Sequence, residues 1–261
     1  MSGLNWSQYL AQYQFVNAFV KGPPGDGKTY LAAGASQIGK TLAIDVEGGL
    51  ISARDVINPK NLTILLVKEQ DPKAFFEKLS EAVGQALSGE YEWIILDSMS
   101  EVAGRMEDEY ATASKDGRVD IKDWFVLTER VKRFGRLLRD LPCNKIVTAI
   151  TKPTGKEDDG GKTIFEPVLP GQTAAVVPSF FDIVGLMRKR PVPKGPGTDY
   201  YLCTDGPSIF QVRDRTRMLA GEEKVDPKNP GNVWKKALEG IRRLSTPAAP
   251  AATAPVVAAA K

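Results

Sequence analysis

Residues 22–29 read Gly-Pro-Pro-Gly-Asp-Gly-Lys-Thr, and no other stretch of the chain restricts its fold as tightly. The spacing G-x-x-x-x-G-K-[ST] is that of a loop whose backbone N–H groups turn inward around phosphate oxygens. It needs a buried strand before it and a helix after it, because the helix start adds partial positive charge. Both are readable here. An apolar run over 15–20 predicts the strand, and 28–38 predicts the helix, with Gly39 placed to stop it. The cradle then consists of Gly22, Pro23, Pro24, Gly25, Asp26, Gly27, Lys28, Thr29 and Tyr30. Lys28 would reach the β and γ phosphates of ATP, and the Thr29 hydroxyl would ligate Mg²⁺.

Such a site needs an acid on a neighbouring strand to hold the metal. The near-continuous apolar run at 91–98 ends in Asp97-Ser98, which suits a strand buried on both faces of a parallel sheet. Asp97 is the expected metal-side acid. Between the two motifs lies Ile-Asp-Val-Glu-Gly-Gly at 44–49. Glu47, just past a predicted strand, is placed to polarise an attacking water. The same position also suits the substrate acid of a P-loop kinase or a cap on the following turn. Asp45 reads as structural.

Around these motifs strands alternate with helices. Apolar runs at 41–50, 61–68 and 144–151 predict strands. Residues 71–89 predict a helix, with Asp71 as N-cap and Pro72 first inside, and so do 122–141, ended by Pro142. Alternation of this kind implies right-handed crossovers and a doubly wound, mainly parallel α/β sheet. After 180 the helices stop, and 180–190, 199–205 and 208–214 predict antiparallel strands that extend the sheet. The expected division is one core, 1–244, and a disordered Pro/Ala-rich tail, 245–261.

Composition narrows the chemistry. The chain contains no histidine, which excludes a histidine base and most zinc sites, and its two cysteines stand in no metal or redox spacing. A formal charge of +3 permits nucleic acid as a partner without demanding it. No apolar run is long enough for a membrane span, so the chain reads as soluble and cytoplasmic, in the host cytoplasm if phage-encoded.

The order of phosphate loop, Ile-Asp-Val-Glu-Gly-Gly and Leu-Asp-Ser-Met-Ser resembles the ATPase core of the RecA recombinase family. It is most similar to compact phage P-loop proteins of AAA/RecA-like type that act in single-strand annealing. The resemblance spans roughly 14–220. It implies a RecA-like fold, ATP and Mg²⁺ as cofactors, Glu47 as the water-activating residue, single-stranded DNA as partner, and assembly into rings or filaments. Where the family has a glutamine that senses the γ-phosphate, this chain has Thr148 and Thr151, one of which would serve.

The resemblance also implies where DNA and neighbouring subunits touch. The segment 152–178 corresponds to the family's second DNA loop, with Lys152, Lys156 and Lys162 as phosphate contacts and Phe165 as a stacking surface. A looser match, 104–120, carries Arg105, Lys115 and Arg118. Arg188, Lys189, Arg190 and Lys194 form a basic cluster on an expected hairpin. Arg213 and Arg215 would share a strand face and reach the γ-phosphate of an adjacent subunit, unless Asp214 or Glu222 pairs with them. The tail would tether a single-strand DNA-binding protein. A replicative-helicase-like ring, a small-molecule kinase with 152–178 as its lid, and a non-catalytic nucleotide-gated adaptor remain the competing readings.

Overall fold

A computed structural model describes residues 5, 8, 10, 13–114, 117–157, 163–193, 196–206 and 211–245, with the backbone alone at 156 and 163. Lys115, Lys194, residues 158–162 with Lys162 among them, and residues 246–261 lie outside the described residues, as does the side chain of Lys156.

Ten strands among these residues form one sheet in the order β10-β8-β7-β1-β5-β4-β2-β3, with β6 on β5 and β9 on β7. The phosphate-loop strand β1 (Asn17–Gly22) lies between β5 (Asn144–Glu157) and β7 (Ile183–Pro191), parallel to both. Beyond β5 follow β4 (Trp93–Asp97), β2 (Thr41–Asp45) and the edge strand β3 (Leu62–Leu66), all parallel. The antiparallel part begins one strand later than the sequence suggests. β7 still runs with β1; after it, β8 (Thr198–Cys203) and β9 (Arg213–Asp214) pair antiparallel with β7, and β10 (Glu222–Val225) pairs antiparallel with β8.

Helices cover both faces. On one side α1 (Lys28–Ala33), continued by a 3₁₀ turn at Gly34–Gln37, packs beneath the C-terminal helix α5 (Gly231–Ser245). The two approach so closely that a Cβ on Gly34 would sit 2.6 Å from the Gly231 nitrogen. The buried Trp234 indole donates to the Leu31 carbonyl at 2.8 Å. Opposite lie α2 (Pro72–Ala86), α3 (Met99–Ala113) and α4 (Ile121–Arg139), which bury Phe75, Leu79, Val102, Met106, Leu127 and Val131. Each large side chain so buried contributes about 1.5–3 kcal/mol, and the sheet carries a core on each face.

The start of α2 follows the sequence reading, with Asp71 accepting from the Ala74 N–H at 2.8 Å and Pro72 in the first turn. Three segments differ. Most of the expected 104–120 loop is helix, because Met99, Val102, Ala103 and Met106 form a narrow apolar stripe that packs on the sheet. The expected long loop 152–178 is largely a hairpin: β5 continues to Glu157 and returns through β6 (Thr163–Pro167), with Lys152 opposite Glu166. Helix α5, unread in the sequence, runs through Ser245, so that residue belongs to the core rather than to the tail.

Candidate functional site

The phosphate loop leaves β1 at Gly22 and enters α1 at Lys28. Gly25 (φ 79°) and Gly27 (φ 82°) adopt left-handed backbone conformations, which a residue with a Cβ takes only with strain. The Lys28 ammonium folds back on the loop and donates to the Pro23 carbonyl at 2.8 Å. Burial pulls its pKa below the ordinary lysine value, opposed by the charges of Glu47, Asp97 and Asp26. This is a cation surrounded by acids and held where a polyanion would displace the carbonyl.

Asp97 ends β4 one strand beyond β5. Its Oδ2 accepts from the Thr29 hydroxyl at 2.8 Å, and its Oδ1 accepts from the Thr148 hydroxyl. Burial pushes Asp97 above the usual carboxylate range, and the two hydroxyls pull it back. Thr29 and Asp97 offer hard oxygen donors of the kind magnesium takes. No cluster of three or more acidic, Cys or His side chains that could hold a metal unaided occurs among the described residues, so the donor set fits an ion completed by phosphate oxygens and water. Thr148 is thus the threonine bound to Asp97, whereas the buried Thr151 hydroxyl has no hydrogen-bond partner among the described residues.

β2 lies beside β4 with Asp45 opposite Asp97, and the Val46 and Glu47 N–H groups both donate to the Asp97 carbonyl, at 2.8 and 3.2 Å. This main-chain clamp sets Glu47 at the mouth of the loop, where its Oε1 accepts from the Ser98 hydroxyl. Desolvation by its neighbours pushes Glu47 above the ordinary glutamate value. Asp97 and Glu101 reinforce that shift, while Ser98 and Lys28 oppose it. The residue stays exposed overall. Capping falls to Asp45 instead, whose carboxylate accepts from the N–H groups of Gly48 at 2.6 Å and Gly49 at 3.2 Å.

Beside the loop lies a cavity of about 420 Å³ walled by Thr29, Tyr30, Met187, Tyr200, Val225 and Pro227, within the range of small-molecule sites. The Tyr200 ring comes within 3.0 Å of the Cβ position of Gly27, and the Tyr30 hydroxyl donates to the Pro227 carbonyl. The sequence reading included Thr29 and Tyr30 and missed Met187, Tyr200, Val225 and Pro227. They come from β7, β8, β10 and the turn after it, and no local motif marks them.

The remaining candidates do not converge on this site. The Arg213 guanidinium is bound to the Phe181, Ser179 and Pro178 carbonyls of its own chain, at 3.1, 2.6 and 3.3 Å. Arg215 pairs with Asp182 at 2.9 Å rather than with Asp214 or Glu222. The shared strand face does not form, because β9 contains only Arg213 and Asp214 and lies against Ile183–Val184, the end of β7 remote from the phosphate loop. Asp214 instead caps the Thr216, Met218 and Leu219 N–H groups. Arg105 is paired with Glu101 at 2.9 Å, on a helix and not on a loop. Lys152 is exposed and Phe165 half-buried on the β5–β6 hairpin. The basic cluster divides: Arg190 pairs with Glu222, and Lys189 pairs with Asp26 of the phosphate loop at 3.3 Å.

The family model described as an AAA domain matches residues 14–230. The chain belongs to this AAA-domain family, and its core is a mainly parallel α/β sheet that carries the phosphate loop at the end of β1. Among solved structures it is similar to a prototypical ATPase from the type III secretion system of pathogenic bacteria (11% identity, TM-score 0.46, 69% of this chain and 55% of that chain). It is also similar to a KaiC-like protein from Pyrococcus horikoshii OT3 (12% identity, TM-score 0.41, 72% of this chain and 77% of that chain). A third likeness is to the flagellar accessory protein FlaH from Methanocaldococcus jannaschii (12% identity, TM-score 0.34, 77% and 84%). The chain thus spans about half the length of the secretion ATPase. No curated protein matches it. Among the described residues no helix is long and apolar enough to cross a membrane.

Proposed function

We propose that this AAA-domain protein binds magnesium–ATP in the phosphate loop, hydrolyses it, and uses the cycle to act on single-stranded DNA, with strand annealing in phage-type recombination as the task. The observation that carries the hydrolytic part is the Glu47 carboxylate, fixed by Ser98 and the Asp97 main chain within the electrostatic reach of Lys28. In this reading Lys28 leaves the Pro23 carbonyl for phosphate oxygens, and Thr29 and Asp97 hold the metal. Magnesium, when bound, supplies positive charge to the phosphates. Glu47, with its pKa raised, accepts a proton from the water it orients.

The DNA part is supported by placement. Successive side chains of a strand point to opposite faces, so Arg188 and Arg190 share one face of β7, and both are exposed. The β5–β6 hairpin carries Lys152 and Phe165 at the same C-terminal edge of the sheet. An annealing protein needs such a basic and partly aromatic rim. A homo-oligomer and a single-strand DNA-binding partner complete the proposal.

The test is ATP turnover with and without single-stranded DNA, in the wild type and in Glu47→Gln. The expected result is turnover stimulated by DNA and reduced about 10²- to 10⁴-fold by the substitution, the range general-base removal produces, with ATP affinity retained. Phosphate transfer to a small acceptor with indifference to DNA would overturn the DNA reading.

A further inference from the structure

Lys189 stands apart from the arginines on either side of it. The odd-numbered positions of β7 face the phosphate loop. Met187 brings its Cε to 3.6 Å from the Cβ position of Gly27, and the Lys189 ammonium lies 3.8 Å from the Cβ position of Gly25. Tyr200, the β8 partner of Lys189, faces Gly27 from the same side. The ammonium is held there by Asp26 at 3.3 Å, and the two side chains differ in kind: Asp26 is 10% exposed and Lys189 52%. A cavity of about 410 Å³ beside the loop is lined by Pro23, Pro24, Asp26, Phe165, Arg188 and Lys189.

An acid inside a phosphate-binding turn is an electrostatic obstacle to a polyanion, and Asp26 is nearly buried there. A cation held against it by a strand of the same sheet removes the obstacle and faces the loop itself. We propose that Lys189 is a second phosphate-binding cation of the nucleotide site, positioned over the loop by Asp26, rather than part of the DNA-facing patch. The assignment rests on the nucleotide-binding reading above. Lys28 approaches the phosphates from within the turn, and Lys189 closes over them from β7, sharing its donors between Asp26 and the phosphate oxygens. β7 then presents its odd positions to the nucleotide and Arg188 and Arg190 to the opposite face.

A double-substitution cycle on the full chain separates a phosphate contact from simple neutralisation of Asp26. Magnesium–ATP, ADP and AMP are titrated by calorimetry against the wild type, Lys189→Met, Asp26→Asn and the double variant. Lys189→Met is expected to weaken ATP roughly 10- to 100-fold, the range of a charged hydrogen bond, and to leave AMP nearly unchanged. The double variant is expected to stay as weak as Lys189→Met. Recovery of wild-type affinity in the double variant would mean that Lys189 only cancels Asp26, and would overturn the assignment. So would an equal loss for AMP and ATP. A wild-type chain that takes up no magnesium nucleotide would instead remove the nucleotide reading on which the assignment rests. Because Lys189 is half exposed, the thermal midpoints of the variants should stay close to that of the wild type, which separates weakened binding from misfolding.

Discussion

Two lysines flank the turn at Gly22, and both are buried with depressed pKa values, yet their surroundings differ. Lys28 has a carbonyl in hand at 2.8 Å and three carboxylates, Glu47, Asp97 and Asp26, acting on it. Lys21, the last-but-one residue of β1, is fully buried, and its ammonium has no hydrogen-bond partner among the described residues. Desolvation brings its pKa down to about 8, opposed only by the charge of Glu166 on the β5–β6 hairpin. A buried charge is costly unless paired and hydrogen-bonded. Lys28 has compensation that a phosphate could replace one for one, and Lys21 has almost none. Burial alone therefore does not mark a functional lysine on this sheet; the company of the ammonium does.

The sharpest break between the two comes from removing each in turn. Lys28→Ala deletes the only cation inside the loop and leaves Asp26, Asp97 and Glu47 facing the phosphates, so magnesium–ATP affinity should fall by at least about 10²-fold, comparable to the loss of a buried charge-assisted contact. Titration of a fluorescent ATP analogue reads this directly. Retained affinity would place the phosphates elsewhere.

Lys21→Met should act in the opposite sense, on stability. A folded-state pKa of about 8 against 10.5, at about 1.4 kcal/mol per unit, corresponds to roughly 3 kcal/mol of destabilisation below pH 8. The sign follows from proton counting. Between pH 8 and 10.5 the unfolded chain binds the proton that the folded chain has released, so wild-type stability rises with pH across that window. Urea unfolding at pH 7 should show Lys21→Met more stable than the wild type, with the gap closing by pH 10.5. A less stable variant would mean that Glu166 compensates Lys21 far better than the surrounding geometry indicates.

Lys145 sharpens the contrast. It too is buried with a pKa lowered to about 8, but its ammonium donates to the Arg139 and Leu141 carbonyls at 2.8 and 2.7 Å, at the C-terminal end of α4. There a cation meets the unsatisfied carbonyls and negative pole of a helix. Lys145→Met should destabilise by about 1–2 kcal/mol where Lys21→Met stabilises, although desolvation is equally severe at both. The same urea curves measure it.

The legible part of this molecule was the part whose residues act on near neighbours in sequence. The phosphate loop, the strand-end Asp97 and the N-cap Asp71 each announce themselves within a few positions, and Glu47 needed only the strand before it. What stayed hidden depends on distant pairing. Pro153 and Gly155 made the β5–β6 hairpin look like a loop, since its order comes from pairing with 163–167. The stripe of α3 is narrow and small, with Ser100 and Gly104 beside it, so its polar residues concealed the helix. The alternation of β7 was readable, but which face met the phosphate loop was not, and so Lys189 was grouped with Arg188 and Arg190. Tyr200 and Pro227 reach the cavity only because β8 and β10 fold back beside α1.

Arg213 offers the smallest effect and tests whether a half-buried cation satisfied by carbonyls belongs with Lys145 or with Lys28. Its guanidinium gathers the Pro178, Ser179 and Phe181 carbonyls and so ties the turn before β7 to β9. Truncation to alanine leaves those carbonyls short of a donor at a cost of about 1 kcal/mol, part of which water can recover because the site is only half-buried. If the arginine acts on the fold alone, Arg213→Ala should lower the thermal midpoint by a few degrees while turnover per folded molecule stays unchanged at any protein concentration. A role at a neighbouring subunit's phosphates predicts the reverse, an unchanged midpoint with turnover lost only where the protein is concentrated enough to assemble. The carbonyl cage favours the first outcome, because an arginine that must reach across an interface would first have to give up its hydrogen bonds to three carbonyls of its own chain.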